Sequence, residues 1–498
     1  MSIVIGIDLG TSGVKALAIN EDGKILASAM ETYPLFQPKA GYSEQDPADW
    51  WKGVVKVIRQ ITNNSGIDKK EIKAVSLSGQ MHGSVFLDAK NEVIRFPLLW
   101  NDTRNHEQCR KITQIVGEER LLSMVGNPAL EGFTAPKVLW LKDNEPANYS
   151  KLKTLLLPKD YINYKLTGRV CSEMSDAAGS LLLDVKNRKW AVKLAEEIGL
   201  NPEILPPVLE STDVVGEILP EVAQETGLPK SVRVIGGGAD NACSAVGNGI
   251  VKESVILASL GTSGVVLAHT DQMHHDPQGR IHSFNHSVPN RWYLMGVTLS
   301  AGFSMSWLKN NIVEKDYDEI NRQAAEVKPG SEGVMFLPYL AGERTPHRDP
   351  LARGVFFGLS GIHSQKHIMR SVFEGVAFAL RDSLELIKNL NIKPGQIRIT
   401  GGGAKSALWR QIMADVFGYP VHTMQSEEGP AFGAALIAAT GAGIYKTLQD
   451  AVDQTVGLGD VTEPIKENVS RYNEIYPLFG PLYKALKEEY KKFYSVMG

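Results

Sequence analysis

Cysteine is scarce: Cys109, Cys171 and Cys243 are the only three in 498 residues. They lie far apart, with no Cys-x-x-Cys pair to begin a zinc site or a disulfide framework, so the expected setting is reducing and cytoplasmic. Long apolar runs are lacking too. The longest weakly polar stretch, 431–444, is broken by Gly433, Gly441 and Gly443, well below the roughly 20 residues that span a bilayer. Asp8 interrupts the first apolar stretch before a signal-peptide core forms. Neither a membrane partner nor an export signal is expected. Charge of one sign is missing as well: the formal net charge is −3 with no Lys/Arg block, which argues against a nucleic-acid partner. Neither Gly-x-x-x-x-Gly-Lys-Ser/Thr nor Gly-x-Gly-x-x-Gly occurs, so a nucleotide, if bound, is bound by another geometry.

Apolar residues make up 43% and charged residues 22% of the chain, which is ordinary for a globular protein and too apolar for a largely disordered one. The length calls for two or more domains. The first thirty residues alternate apolar runs with turn residues and read as a β-meander. Its first turn lies within Leu-Gly-Thr-Ser-Gly-Val, residues 9–14, and the same six residues return at 260–265. A lone copy would be a convenient turn; two identical copies, each after a β-rich run and half a chain apart, imply a duplicated domain. The expected units are 1–247 and 254–498, with a hinge between them. Helices are expected from Pro47 to Ile61, capped by Asp46, and from about Ile368 to Leu390. A third follows Ser406 and ends at Gly418.

The repeated turns suit phosphate. Glycines 10, 13, 261 and 264 let backbone amides approach phosphate oxygens, and Thr11, Ser12, Thr262 and Ser263 add hydroxyls. Lys15 adds a point charge, and Asp8 is a candidate for Mg²⁺, which favours one or two carboxylates plus phosphates. Gly401-Gly-Gly403-Ala leads into a helix and suits a nucleoside. Gly236-Gly-Gly-Ala-Asp240-Asn241 sets a carboxylate at a helix start, either as a cap or as a general base held ionised by the helix N-terminus. Gln80-Met81-His82-Gly83 and Trp100-Asn-Asp102-Thr-Arg104 carry the paired donors and acceptors that a polyol needs. Gly429-Pro-Ala-Phe-Gly-Ala-Ala reads as a helix that lets another element approach closely.

These residues resemble the FGGY carbohydrate kinases over nearly the whole chain, most closely the members acting on xylulose. Further shared stretches are Gly132-Phe-Thr-Ala-Pro-Lys-Val-Leu-Trp140, Leu157-Pro-Lys-Asp-Tyr161, Ser175-Asp-Ala-Ala-Gly179 and Leu337-Pro-Tyr-Leu-Ala-Gly-Glu-Arg-Thr-Pro-His347. The resemblance implies an α/β fold of two ribonuclease-H-like, actin-like domains with the active site in the cleft between them. It puts the sugar contacts on Met81, His82, Asp240 and Asn241, with Asp240 as base. It puts nucleotide contacts on Thr11, Ser12, Thr262, Gly302, Gly402 and Gly403, to which the turn itself adds Lys15 and Gly261. Asp8 is expected at the metal and in catalysis. ATP and Mg²⁺ are the implied cofactors and D-xylulose the implied acceptor, phosphorylated at its 5-hydroxyl. Another pentulose or polyol, or an actin- or Hsp70-type nucleotide switch, is the alternative. A homodimer is one option for the assembly.

Overall fold

A computed structural model describes residues 2–426 and 428–497. The first sheet begins with β1 (Ile3–Leu9), β2 (Gly13–Asn20) and β3 (Ile25–Thr32), an antiparallel meander as expected. β4 (Ile72–Gly79) runs parallel to β1, β5 (Val214–Glu217) lies at the edge, and β6 (Arg233–Ala239) runs parallel to β4. The order across the sheet is β5-β6-β4-β1-β2-β3.

The second sheet repeats the plan. β7 (Val255–Leu260) and β8 (Gly264–Thr270) form the second glycine hairpin, flanked by β9 (His282–Asn285) and β10 (Trp292–Thr298). β11 (Gln396–Thr400), β12 (Val421–Met424) and β13 (Leu458–Thr462) complete the order β9-β10-β8-β7-β11-β12-β13. In each half the hairpin's first strand pairs antiparallel with its second and parallel with a later strand. This is the duplication read from the hexapeptide, on the actin-like α/β plan that the resemblance implies.

The helices form where their caps stand. α1 (Pro47–Thr62) starts as Ala48 N donates to Asp46 Oδ1 at 2.9 Å, with Pro47 in the first turn. Trp50, Val54, Ile58 and Ile61 recur at helical spacing and are buried against the first sheet. α2 is Asp240–Gly247, α3 Gly302–Leu308 and α4 Gln365–Asn389. In α5 (Ala407–Phe417), Trp409 N donates to Ser406 Oγ at 3.0 Å, and Gly418 in the left-handed region ends the helix.

The halves share two cores. One joins Phe86, Ala177, Leu181 and Ala245 to Val255, Leu257, Phe284 and Tyr293. The other is built by α6 (Gly429–Gly441), which leaves the second half and lies on Val4, Leu17 and Ile235 of the first sheet. A Cβ on Gly6 would stand 2.0 Å from Ala431 O, so β1 and α6 touch backbone to backbone. Among the described residues no helix is long and apolar enough to cross a membrane.

Candidate active site

Both glycine turns are held from outside themselves. Gly10 N donates to Gly13 O at 2.9 Å, and Tyr33 OH donates to both Gly10 O and Gly13 O. Thr11 is anchored three times: Gln45 Nε2 donates to its carbonyl at 2.6 Å, Trp100 Nε1 donates to its hydroxyl at 2.9 Å, and that hydroxyl donates to Gln80 Oε1 at 3.2 Å. In the second turn Gly302 N donates to Gly261 O at 2.8 Å, and Ala301 N and Phe303 N donate to Thr262 O at 3.1 and 3.0 Å. The start of α3 is thereby tied to the turn. Gly401, at φ +86°, would drive a Cβ to within 2.6 Å of Leu260 C, which binds the third glycine cluster to the same hairpin. Gly402 is the opposite case, since a Cβ there meets nothing within 4 Å. Open backbone beside a phosphate-type turn is what a nucleotide needs.

Asp8 lies at the end of β1, opposite Lys15 across the hairpin and opposite Ser78 on β4. Ser78 Oγ donates to its Oδ1 at 2.8 Å. Burial raises its pKa, with Ser78 and the Lys15 charge opposing. Lys15 is not a free phosphate ligand here: its ammonium pairs with Glu428 of the second half.

Asp240 opens α2 directly after β6. It is not the cap, which is Ala239, and its Oδ1 accepts from its neighbour's backbone and side chain, Asn241 N at 2.7 Å and Nδ2 at 2.9 Å. Burial, then the charge of Asp8, push its pKa up to about 7 against the Asn241 bonds. Desolvation and a like charge thus work against the ionisation expected from the helix N-terminus. A carboxyl poised near neutrality is suited to accept a proton at working pH.

Met81, His82 and Asn241 come together with it. Asn241 Nδ2 lies 3.5 Å from Met81 Sδ. His82, at φ +70°, places Nδ1 2.6 Å from Gly179 O and its ring 4.7 Å from Phe133. Burial lowers its pKa to about 3, so the ring is neutral. A carbonyl oxygen can only accept, so Nδ1 carries the proton and Nε2 is left as an acceptor for a hydroxyl.

The other polar cluster has a different duty. Asp102 is buried, takes Ser43 N at 2.7 Å and pairs with Arg104 at 2.7 Å. Only Trp100 of that stretch reaches the turn, through Thr11. Buried supports also escaped the sequence reading. Ala239 N donates to Ser175 Oγ at 3.0 Å, which donates to Glu173 at 2.9 Å, and Lys159 pairs with Asp160 at 2.5 Å beside it. Their only signal was the shared Pro-Lys-Asp and Ser-Asp-Ala stretches.

Comparison with known proteins decides the family. The model for the N-terminal domain of the FGGY family of carbohydrate kinases matches residues 3–247, and that for the C-terminal domain matches 256–442. The chain belongs to the FGGY family of carbohydrate kinases. It is 42% identical to the xylulose kinase of Bacillus subtilis (strain 168) over 489 residues, 98% of each chain. A ligand-bound xylulose kinase from Lactobacillus acidophilus superposes with a TM-score of 0.95 at 28% identity, covering 99% of this chain and 100% of the other. A gluconate kinase from Lactobacillus acidophilus gives 0.94 at 28% identity over 99% of each chain. This FGGY kinase therefore shares its backbone with enzymes named for chemically different acceptors, and the acceptor must be argued from side chains.

The coupling of Asp240 to Asp8 has a measurable sign. If Asp240 is the base, activity is lost as it is protonated, and kcat/KM for the acceptor should drop tenfold per unit below about pH 7. In Asp8→Asn the neighbouring charge is gone, and the residual activity should carry its acid limb to lower pH. A limb that stays in place would show that Asp8 does not set the protonation of Asp240.

Proposed function

We propose that the protein transfers the γ-phosphoryl group of ATP to the 5-hydroxyl of D-xylulose. The observation that carries this reading is the grouping of Asp240, Asn241, Met81 and the neutral His82, on the half whose glycine turn is preceded by Asp8. Its relatives named xylulose kinase support the acceptor.

On this reading 1–247 holds the sugar and the base, and 254–498 holds the nucleotide. His82 Nε2 and the Asn241 amide fix the polyol, and Met81 packs against its carbon face. Asp240 accepts the 5-hydroxyl proton as that oxygen attacks the γ-phosphorus and the bond to the β,γ-bridging oxygen breaks, giving D-xylulose 5-phosphate and ADP. The turns at Thr11 and Ser12 and at Gly261 and Thr262, with the open backbone at Gly402, supply donors for the nucleotide, while Gly302, whose amide is spent on Gly261 O, and Gly403, packed on Trp409, hold that region in shape. Among the described residues no group of three His, Cys, Asp or Glu side chains can hold a metal by itself. Mg²⁺ fits the donors present nonetheless, since among the described residues Asp8 Oδ2 takes no hydrogen bond, and phosphates would complete the shell. When bound, Mg²⁺ neutralises phosphate charge.

The test is a panel of D-xylulose, D-ribulose and gluconate with Mg²⁺ and ATP. kcat/KM should be highest for D-xylulose, and ADP release should rise on adding it. An optimum on another acceptor overturns the assignment, and sugar-independent ADP release overturns the kinase reading.

A further inference from the structure

Among the described residues, Arg344 stands out from the other arginines that are not exposed, because its guanidinium makes no hydrogen bond or ion pair. Arg104, Arg280 and Arg370 each reach a carboxylate, at 2.7, 2.6 and 2.8 Å. Arg344 is half-buried, yet among the described residues its guanidinium makes no hydrogen bond or ion pair, and only its backbone amide is engaged, donating to Glu343 at 2.8 Å. A guanidinium carries five donors in a fixed fork, and leaving them unmatched in an enclosed place is unfavourable unless a ligand supplies acceptors.

Its backbone is held firmly. Glu343 accepts from Leu299 N at 3.0 Å and from Thr298 Oγ1. Thr345 N donates to Val297 O at 2.9 Å, Val297 N donates to Thr345 Oγ1 at 3.0 Å, and that hydroxyl donates to Arg280 O at 2.9 Å. Arg344 is therefore fixed at the end of β10, beside β9. On β9 the His282 ring lies 6.0 Å from Phe133, whose ring lies 4.7 Å from His82. The guanidinium belongs to the second half, yet the charges that act on it include Glu131 of the first half as well as its neighbour Glu343. Its charge helps to depress His82 and His282, whereas the charge felt by Asp240 is that of Asp8.

We propose that Arg344 is an acceptor-binding residue contributed by the second half, donating to the oxygens at the C1–C2 end of the ketose, away from Asp240. This rests on the ketose kinase reading above. It gives the second half a direct contact with the sugar, so that the acceptor itself bridges the two halves when it binds.

The test compares D-xylulose with 1-deoxy-D-xylulose in the full-length enzyme, its Arg344→Gln variant and its Arg344→Lys variant. The unmodified enzyme should favour D-xylulose by roughly 10- to 100-fold in kcat/KM, the range for a charged hydrogen bond. In Arg344→Gln that preference should shrink to a few-fold, through KM for the sugar, with KM for ATP unchanged. Arg344→Lys, which keeps the charge but not the fork, should fall between. If Arg344→Gln does not fold, the Lys variant alone decides by whether the preference narrows. An equal loss for both sugars, or an undiminished preference, overturns the proposal. An unmodified enzyme inactive on D-xylulose refutes the acceptor reading instead. Arg344 is then judged by whether Arg344→Gln raises KM at least tenfold for the acceptor that is used.

Discussion

Asp240→Asn should lower kcat by about 10³-fold or more, while ATP affinity stays within about twofold, since a positioned general base contributes roughly 10²- to 10⁴-fold and the glycine turns are untouched. The isosteric amide keeps the shape of the site, so lost packing cannot explain the loss. A second readout separates this from structural damage. An unfolded aspartate titrates near 4, and folded Asp240 is pushed up to about 7 by burial and Asp8. The native state therefore holds the proton more tightly than the unfolded chain. The stability linked to that proton is complete below about pH 4 and is lost as pH rises through 7. At pH 8 the unmodified protein carries a buried, ionised carboxylate next to Asp8, which the amide variant lacks. Asp240→Asn should thus melt at a higher temperature than the unmodified protein at pH 8, with the gap narrowing at pH 5. Activity near that of the unmodified enzyme would remove Asp240 from the base role. A lower Tm at pH 8 would show that its ionised form is not destabilised.

What was legible in the sequence was whatever lies within one stretch of chain. The two Leu-Gly-Thr-Ser-Gly-Val copies announced hairpins, duplication and exposed amides, and the caps at Asp46 and Ser406 announced their helices. Met81, His82 and Asn241 were legible as polar or soft residues next to glycine turns. The failures arose where the deciding partner is remote. Asp102 and Arg104 have the chemistry of polyol contacts, and only the fold shows them satisfying each other and Ser43 in a buried pair. Lys15 suits a phosphate, but the structure meets its charge with Glu428 from the other half. The protonation of Asp240 turned on Asp8, more than 200 residues away, and on burial, which a helix start does not reveal. Arg344 stood in the sequence as one letter of the shared stretch from Leu337 to His347, and the fold alone shows that its side chain makes no hydrogen bond or ion pair among the described residues.

Gly433→Ala should destabilise the protein by about 3 kcal/mol, the upper end for overpacking a core, and should impair catalysis even where the chain folds. α6 crosses α2 with no room for side chains. A Cβ on Gly433 would stand 1.8 Å from Cys243 O and 2.9 Å from Gly247 N, and one on Gly247 would stand 2.0 Å from Gly429 O. These are backbone atoms of two packed helices, so no rotamer change can relieve the clash and the helices must move apart. α2 begins with Asp240, and α6 also rests on β1 at Gly6, two residues before Asp8. Spreading this crossing therefore displaces both carboxylates relative to each other, while the backbone around Gly401 to Gly403 stays packed on the second hairpin at Leu260. The expected pattern is a reduced denaturation midpoint, a lower kcat and an ATP affinity that changes little. Gly480→Ala is the matched control, because a Cβ there meets nothing within 4 Å. If Gly433→Ala is as stable and active as that control, the crossing of α2 and α6 does not hold the halves in register, and the duplicated sheets must be joined chiefly through the core shared by Phe86, Leu257 and Tyr293.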